Sequence, residues 1–283
     1  NSMMKYILLL FFIVNQSFAC TQATDPSRIT SAGGSLTEII YFMGLQQRLV
    51  AVDVTSNYPT DAKNLPSIGY VRQLSAEGVL SLDPTLIIGE DDMGPPSVIN
   101  QIKRTKVEIK IVPEQHSTMG IINKINCIGE IVGKSDLAKK LIKSNLQSKL
   151  DELAENKLNQ KESKIIYILG MQSGSPLIAG SNTSGDGFIR MIGAINPLSE
   201  FEGWKPVGTE SIINAAPDLI IISKRGLNGF GTIEQLAAHP ALYLTPAAKN
   251  GNIIALDGMA SLGFGPRTID MAIFVSKKLN GNS

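Results

Sequence analysis

The chain contains 283 residues, enough for one large domain or two modest ones. Hydrophobic residues make up 43% of it and charged residues 18%, which is the range of a globular protein that buries a core. The 26 Lys and Arg residues nearly balance the 25 Asp and Glu residues, giving a net charge of +1. This balance gives no support for a nucleic-acid partner, which favours a basic face.

Residues 1–19 have the pattern of an export signal. Lys5 supplies a positive charge, residues 6–14 form an apolar run, and Ser17-Phe18-Ala19 is a small-x-small cleavage site. The apolar run is shorter than the roughly 20 residues that a membrane span requires. A buried helix is the alternative, but the position and the flanking residues favour a signal peptide. We therefore predict a periplasmic protein.

The two cysteines, Cys20 and Cys127, allow two interpretations. Cys20 directly follows the predicted cleavage site and could carry a lipid anchor, although Ser17 stands where lipoprotein signals usually have Leu. A disulfide between the two cysteines would also be feasible outside the cytoplasm. Residues 20–28 are polar and contain Pro26, which predicts a tether. Cys-x-x-Cys and Cys/His metal-binding spacings do not occur.

Strands and helices alternate over residues 29–133, which we predict to form an N-terminal α/β lobe. Ser35 and Glu38 have the spacing of a helix-starting capping box. The alternation predicts a parallel sheet covered by helices. The predicted strands are Arg28–Ala32, Leu49–Val52, Thr85–Ile88 and Glu108–Val112, and the predicted helices start at Ser35, Ser75, Ser97 and Ser117.

Residues 134–161 have a different composition, rich in Lys, Glu, Leu and Ala. Ser135 is predicted to cap a helix whose leucines share one face. About 25 helical residues would extend roughly 37 Å at 1.5 Å per residue. This segment, placed between two strand–helix blocks, predicts a rigid connector helix.

A second strand–helix block covers residues 162–283, the predicted C-terminal α/β lobe. Its first strand, Ile165–Leu169, is followed by a predicted loop over residues 170–176 that contains Met171 and Gln172. Open α/β sheets present ligand sites at such strand ends. The other predicted elements are the helices 187–192, 210–215, 232–238 and 268–279 and the strands 219–222 and 253–256.

The two blocks share one sequence pattern. Glu77 and Pro84 are seven residues apart, as are Glu210 and Pro217, and each Pro is followed by x-Leu-Ile-Ile. A Glu in the first helical turn stabilises the helix, because its negative charge interacts favourably with the positive end of the helix dipole. The apolar run after each Pro predicts a buried parallel strand. Strand–helix units can converge on such a pattern, but equal spacings in both blocks favour two similar lobes.

Four stretches resemble the solute-binding proteins of metal-chelate ABC importers, and in particular periplasmic haem-binding proteins. They are ITSAGGSLTEIIYFMGLQQRLVAVDVTSNYP (29–59), LPSIGYVRQLSAEGVLSLDPTLII (65–88), GWKPVGTESIINAAPDLIII (203–222) and LGFGPRT (262–268). The resemblance implies two Rossmann-like α/β lobes with parallel sheets, one long connector helix, and a ligand cleft between the lobes with little hinge motion. It implies haem as the transported ligand and an inner-membrane ABC permease with its ATPase as the partner. We expect a monomer.

The resemblance also implies roles for four residues. Tyr70 matches the tyrosinate that ligates the haem iron, Arg72 lies beside it, and Glu77 and Glu210 match the residues that dock on the permease. Ferric iron is a hard acid and an anionic phenolate suits it, as in catalase. Arg72 could favour the phenolate or pair with a haem propionate. The alternatives are an aromatic plug for Tyr70 and a solvated charge for Arg72.

Other residues are weaker candidates. Arg225 follows a strand of the second block and could neutralise a propionate or lie at the surface. Met171, Gln172 and Trp204 are candidate cleft-lining residues; some relatives carry a second axial His in the 170–176 loop, but this chain has none there. The two histidines, His116 and His239, have no partners at metal-binding spacing and are interpreted as structural or solvent-facing.

The sequence leaves three alternative functions open. A cobalamin-binding or ferric-siderophore-binding protein of the same fold is the main alternative, and an exported hydrolase is a minor one. The chain has no G-x-S-x-G nucleophile elbow, Walker A sequence or G-x-G-x-x-G after a strand. We therefore assign no catalytic residues and predict a binding protein rather than an enzyme.

Overall fold

The computed structural model describes residues 20–281. The predicted signal peptide over residues 1–19 lies outside the described residues. Within the described part, no helix combines the length and the apolar character needed to cross a bilayer.

The first lobe contains a four-stranded sheet in which every pairing is parallel, as predicted. The central strands β1 and β3 are buried along their whole length; β3 is accordingly apolar, whereas β1 contains the buried polar residues Thr30 and Ser31. The strands are β1 (Ile29–Ala32), β2 (Leu49–Val52), β3 (Leu86–Gly89) and β4 (Glu108–Ile111), in the order β2-β1-β3-β4, and the helices are α1 (Gly34–Phe42), α2 (Ala76–Leu80), α3 (Pro96–Lys103) and α4 (Thr118–Ile131).

The predicted start of α1 was wrong. No side chain caps this helix, which begins at Gly34 with Gly33 as its N-cap. Ser35 instead donates its hydroxyl hydrogen to Glu90, and Glu38 is buried in an ion pair with Arg267. Both side chains therefore serve tertiary contacts that local spacing does not reveal. Ser75 and Ser117, by contrast, cap α2 and α4 as predicted.

The connector is helical from Ser135 to Leu158. It consists of α5 (Ser135–Leu141), a π-helical turn (Ile142–Leu146) and α6 (Gln147–Leu158). Ser135 does not cap it, because its hydroxyl donates to Glu130 and Lys134 is the N-cap. Ala138, Leu146 and Leu153 form the buried face.

The second sheet has five strands in the order β7-β6-β5-β8-β9, and it is mixed. The core strands β5, β8 and β9 are parallel, but β6 and β7 add an antiparallel edge that the sequence did not predict. The predicted 170–176 loop was wrong, since β5 continues to Gln172 and turns at Ser173-Gly174 into β6. The strands are β5 (Ile165–Gln172), β6 (Ser175–Ala179), β7 (Trp204–Pro206), β8 (Leu219–Ser223) and β9 (Ile253–Leu256).

Seven helices described in this half of the chain surround the second sheet. The longest, α13, packs along α6 of the connector, and Lys149 and Asp270 form an ion pair of 2.7 Å between them. These helices are α7 (Ser184–Ile192), α8 (Thr209–Ala215), α9 (Lys224–Phe230), α10 (Ile233–Ala237), α11 (Pro246–Lys249), α12 (Gly258–Leu262) and α13 (Pro266–Leu279).

The repeated sequence pattern corresponds to a repeated structure. Helix α2 is followed by Asp83 at φ 51°, Pro84 and β3, while α8 is followed by Ala216 at φ 46°, Pro217 and β8. In both lobes a residue with a left-handed backbone conformation turns the chain before the proline. The repeat therefore places Glu77 and Glu210 in equivalent first helical turns.

The N-terminal segment lies against the first lobe. Cys20 and Cys127 form a disulfide, which selects one of the two interpretations of the cysteine pair. Ala23 donates its backbone N–H to the Ile131 carbonyl at 2.9 Å, and Thr24 donates to Glu108 at 2.8 Å. The segment expected to form a tether is thus attached to α4 and β4.

Candidate functional site

A cavity of about 370 Å³ lies between the two lobes. The first lobe lines it with residues that follow the carboxyl ends of its strands, and the second lobe contributes α12 and the start of α7. The first-lobe residues are Ala32, Gly33, Gly34, Ser35, Asp53, Thr55, Tyr70, Val71, Arg72, Glu90, Asp92, Glu114 and His116, and the second-lobe residues are Ser184, Met259, Leu262 and Gly263.

Larger cavities occur elsewhere on the described part of the molecule. One of about 780 Å³ lies at the amino ends of β3 and β4, where Thr85 and Glu108 line it. Another of about 570 Å³ lies between α1, the π-helical turn and α13. Open α/β sheets bind ligands at the carboxyl ends of their strands. We therefore take the interlobe cavity, called the cleft below, as the candidate site despite its smaller volume.

Tyr70 lies in the wall of the cleft and is 46% exposed. Its backbone position is fixed by the turn that follows. Val71 is buried and accepts a hydrogen bond from the Gly94 N–H at 2.8 Å, and Leu74 donates to the Gly94 carbonyl at 2.8 Å. A fixed backbone therefore presents a phenol side chain that remains accessible to a ligand.

Arg72 lies in the same wall, next to a carboxylate. Its Nε atom is 3.9 Å from Oδ2 of Asp92, and its side chain is 64% exposed. Burial raises the pKa of Asp92, and the Arg72 charge opposes that rise. Arg72 therefore already has an anionic neighbour in the protein.

The floor of the cleft contains a buried lysine that the sequence reasoning missed. The Lys124 ammonium group, on α4, is fully buried and donates to Glu114, to Ser35 Oγ at 3.2 Å and to the Gly263 carbonyl at 3.3 Å. Because Gly263 belongs to the second lobe, Lys124 links the two lobes directly beneath the cleft.

Glu90 completes this floor beside Lys124. Burial raises its pKa to about 7; the Lys124 charge opposes the rise, and the Glu114 and Asp92 carboxylates add to it. Ser35 donates a hydrogen bond to Glu90 at 3.2 Å. The floor is thus crowded with carboxyl groups, one of which is partly protonated near neutral pH.

His116 also lies in the cleft wall, although the sequence suggested only a structural or solvent-facing role. Its ring packs against Phe264 of the second lobe with 5.1 Å between centroids, and burial lowers its pKa. Gly187 on α7 permits this approach, since a Cβ there would lie 2.5 Å from His116 Cβ. His116 therefore packs directly against the second lobe at the cleft.

The remaining predicted site residues lie outside the lining of this cavity. Met171 is on β5 and packs on the core of the second lobe, and Gln172 is exposed at the hairpin. Trp204 packs edge-on against Tyr167 at 6.0 Å. Arg225 is exposed in the first turn of α9.

Glu77 and Glu210 are both exposed, in the first turns of α2 and α8. Neither forms an ion pair with any residue between 20 and 281. Their charges are therefore available to a partner.

Several cleft residues that were not predicted lie just after strands of the first lobe. Asp53, Glu90 and Glu114 follow the carboxyl ends of β2, β3 and β4, where ligand sites of open sheets lie. The same strand-end position predicted Met171 and Gln172 in the second lobe. For Lys124, the signal was a charged residue between Ile121 and Ile128 on an apolar helix face.

Two α/β lobes that face each other across a polar cleft, with a helix connecting them, define a two-lobe binding protein. A family model described as "Periplasmic binding protein" matches residues 29–260. The chain belongs to this family.

Solved structures of heme-binding proteins are similar to this chain over most of its length. The periplasmic heme-binding protein BhuT in complex with two hemes has a TM-score of 0.84 and 32% identity, covering 90% of this chain and 98% of that one. HutB of Vibrio cholerae, a periplasmic heme-binding protein, has a TM-score of 0.81 and 37% identity, covering 90% and 99%.

Curated relatives include proteins with a different ligand. The vitamin B12-binding protein of Vibrio parahaemolyticus is 25% identical over 280 residues, which are 97% of this chain and 95% of the relative. The ABC transporter substrate-binding lipoprotein YvrC of Bacillus subtilis is 27% identical over 201 residues, or 70% of this chain. The match spans 63% of the length of that lipoprotein.

Proposed function

We propose that this protein is an extracytoplasmic solute-binding protein that captures ferric haem in the cleft and delivers it to an ABC importer. The observation that carries the proposal is the position of Tyr70, whose exposed phenol lies in the wall of the cleft. Similarity to heme-binding proteins across both lobes supports the same ligand.

Tyr70 would be the axial ligand of the haem iron. An anionic phenolate is a hard ligand that suits ferric iron, and a nearby cation favours the anionic form. Arg72 is two residues away from Tyr70. Its guanidinium group lies beside Asp92, and this contact holds the positive charge of Arg72 in the same wall of the cleft. We therefore assign Arg72 to the support of the phenolate.

The cargo would enter as a chelate rather than as a bare ion. Within residues 20–281, no group of three or more His, Cys, Asp or Glu side chains is arranged to hold a metal ion. A haem brings four of its own nitrogen ligands, so one protein ligand suffices.

Docking on the permease would use Glu77 and Glu210. The two carboxylates occupy equivalent helical turns in the two lobes, and both are exposed. Such an arrangement suits a partner with a basic residue opposite each lobe.

The mature protein would not carry a lipid on Cys20. The Cys20 sulfur is bonded to Cys127, so it has no valence left for a thioether to a lipid. Disulfides persist in oxidising compartments such as the periplasm. We propose a monomeric periplasmic carrier without a lipid anchor at this residue.

Cobalamin is the second candidate ligand. The cleft carboxylates Asp53, Glu90, Asp92 and Glu114 are hydrogen-bond acceptors that suit the amide side chains of a corrinoid. The relationship to vitamin B12-binding proteins points the same way.

Titration with haemin and, separately, with cyanocobalamin tests the proposal. We expect haemin to bind in an interlobe site with a ferric high-spin absorption spectrum and an affinity far above that for cyanocobalamin. Binding of cyanocobalamin with equal or higher affinity, without a haemin spectrum, would transfer the assignment to the corrinoid.

The proposed docking role of Glu77 and Glu210 can be tested separately from ligand binding. Changing Glu77→Lys together with Glu210→Lys should leave haemin affinity unchanged and abolish uptake through the cognate permease in proteoliposomes. The matched control is Glu155→Lys with Glu234→Lys, which has the same charge change at exposed glutamates of α6 and α10. Loss of haemin binding in the first double variant would place its carboxylates in the cleft instead.

A further inference from the structure

The cavity of about 570 Å³ between α1, the π-helical turn and α13, called the boundary cavity below, joins both lobes and the connector. The first lobe lines it with Tyr41, Phe42 and Tyr58, the connector with Leu146, and the second lobe with Pro266. In the described part of the chain, no residue lines both this cavity and the cleft. Its volume lies in the range of small-molecule sites, about 300–1,000 Å³.

The charged groups in the lining of the boundary cavity are paired with each other. Arg267 donates to Glu38 at 3.1 Å, and the Lys149 ammonium group lies 2.7 Å from the Asp270 carboxylate. Two cations therefore face two anions, one to one. A charged ligand would either compete with these pairs or bring a charge that finds no partner, and both cost free energy. The lining thus favours an uncharged ligand.

Aromatic side chains supply much of the remaining wall. The Arg267 guanidinium carbon lies 3.8 Å from the centroid of the Tyr58 ring, so this stacking holds a ring that is 45% exposed. Tyr41 and Phe42, at the end of α1, are partly buried. Aromatic rings pack favourably on other rings in offset-stacked or edge-to-face contacts. The wall therefore favours a ligand that contains an aromatic ring.

Tyr41 adds a hydrogen-bond donor to this wall. Burial raises the pKa of its hydroxyl, and the Asp61 carboxylate adds to the rise, so the phenol keeps its proton. A protonated phenol donates one hydrogen bond. An acceptor on the ligand, such as a carbonyl oxygen, would match it.

The connector presents its irregular turn to the boundary cavity. Asn145 and Leu146 are the last two residues of the π-helical turn Ile142–Leu146, and both line the cavity. π-Helical turns are rare and occur frequently at functional sites. The distortion of the connector and the cavity therefore coincide.

We propose that the boundary cavity is a second binding site, for an uncharged aromatic small molecule that carries a hydrogen-bond acceptor. A bound molecule contacts both lobes and the connector at once, so it stabilises their arrangement by mass action. This site is independent of the assignment of haem to the cleft.

Equilibrium dialysis with prodan, an uncharged naphthalene ketone, tests the proposal. The unchanged protein should bind prodan at one site, and it should bind the anionic dye anilinonaphthalene sulfonate about 10-fold more weakly or less, because the sulfonate finds no free cation. Asn145→Trp should weaken prodan binding by about 10-fold or more, because the new indole ring fills part of the cavity. Prodan should raise the melting temperature of the unchanged protein but not that of the Asn145→Trp protein.

Ser148→Trp is the matched control, because Ser148 is exposed on α6 of the same connector and is absent from the lining. Equal prodan affinity in the two variants would overturn the proposal, as would no prodan binding or equal binding of the sulfonate dye. Displacement of prodan by haemin would place the dye in the cleft and would also overturn it. Failure of haemin to bind would count against the proposed function alone. If Asn145→Trp does not fold, Asn145→Phe gives the same comparison.

Discussion

Replacing Tyr70 with Phe is expected to remove the ferric haem spectrum and to weaken haemin binding by about 100-fold or more. Substitutions behind a metal ligand already cost about 10- to 100-fold in affinity, so loss of the ligand atom itself should cost at least the upper end of that range. Phenylalanine keeps the ring and removes only the oxygen. The expected loss is therefore a loss of coordination rather than of packing.

The measurement is absorption-monitored haemin titration, with Tyr243→Phe as the control. Tyr243 is 51% exposed in the second lobe and is absent from the lining of the cleft. Removing its hydroxyl should change neither the spectrum nor the affinity. A Tyr70→Phe protein that keeps the spectrum of the unchanged protein would show that another atom ligates the iron.

Replacing Arg267 with Met is expected to lower the free energy of unfolding by about 3 kcal/mol at pH 7, the lower end for breaking a buried ion pair. Arg267 of the second lobe donates to Glu38 of the first through Nε at 3.1 Å and its backbone N–H at 3.0 Å. Glu38 is only 4% exposed. Without the guanidinium group, its charge would remain buried and uncompensated.

The loss should depend on pH in a defined direction. Burial raises the pKa of Glu38 above the carboxyl value of 4.5 even with Arg267 present, and removal of Arg267 raises it further. A group with a raised folded-state pKa contributes stability that is present below its unfolded pKa and lost as pH rises through the folded value. The Arg267→Met protein should therefore be closer in stability to the unchanged protein near pH 4.5 than at pH 7.

Chemical denaturation at several pH values measures this effect. Lys277→Met is the control, because it breaks an ion pair of 2.6 Å with Glu152 in which both side chains are at least 40% exposed. Exposed pairs contribute about 0–1 kcal/mol. If the Arg267 and Lys277 variants lose equal stability, the interlobe pair is not the strong contact inferred here.

Local patterns in the sequence predicted the sheet of the first lobe well, because its four short strands alternate with helical segments and turn residues. Ser75 and Ser117 cap the helices that they were predicted to cap. Ser35 did not, because tertiary contacts with Glu90 and Arg267 determine the surroundings of α1. The antiparallel edge of the second sheet was missed because the turn at Ser173-Gly174 was interpreted as part of a longer loop.

The residues of the candidate site were harder to predict from local sequence patterns. Tyr70 and Arg72 came from the family resemblance, and the structure places both in the cleft. The contacts of Lys124 join residues 89 and 139 positions apart in the chain, so no local periodicity could identify its partners. The position of His116 in the cleft wall was not predicted, because its ring packs against Phe264, which belongs to the other lobe.

The bonds from Lys124 to Gly263 and from Arg267 to Glu38 cross the boundary between the lobes at two separate points. Opening this boundary would break both bonds and separate the buried Glu38 carboxylate from its cationic partner, which costs free energy. We therefore expect the cleft to keep its width before a ligand arrives, and capture to depend on diffusional encounter rather than on a closing motion. Under the proposed function, release would then require work from outside the molecule, and the proposed importer would supply it.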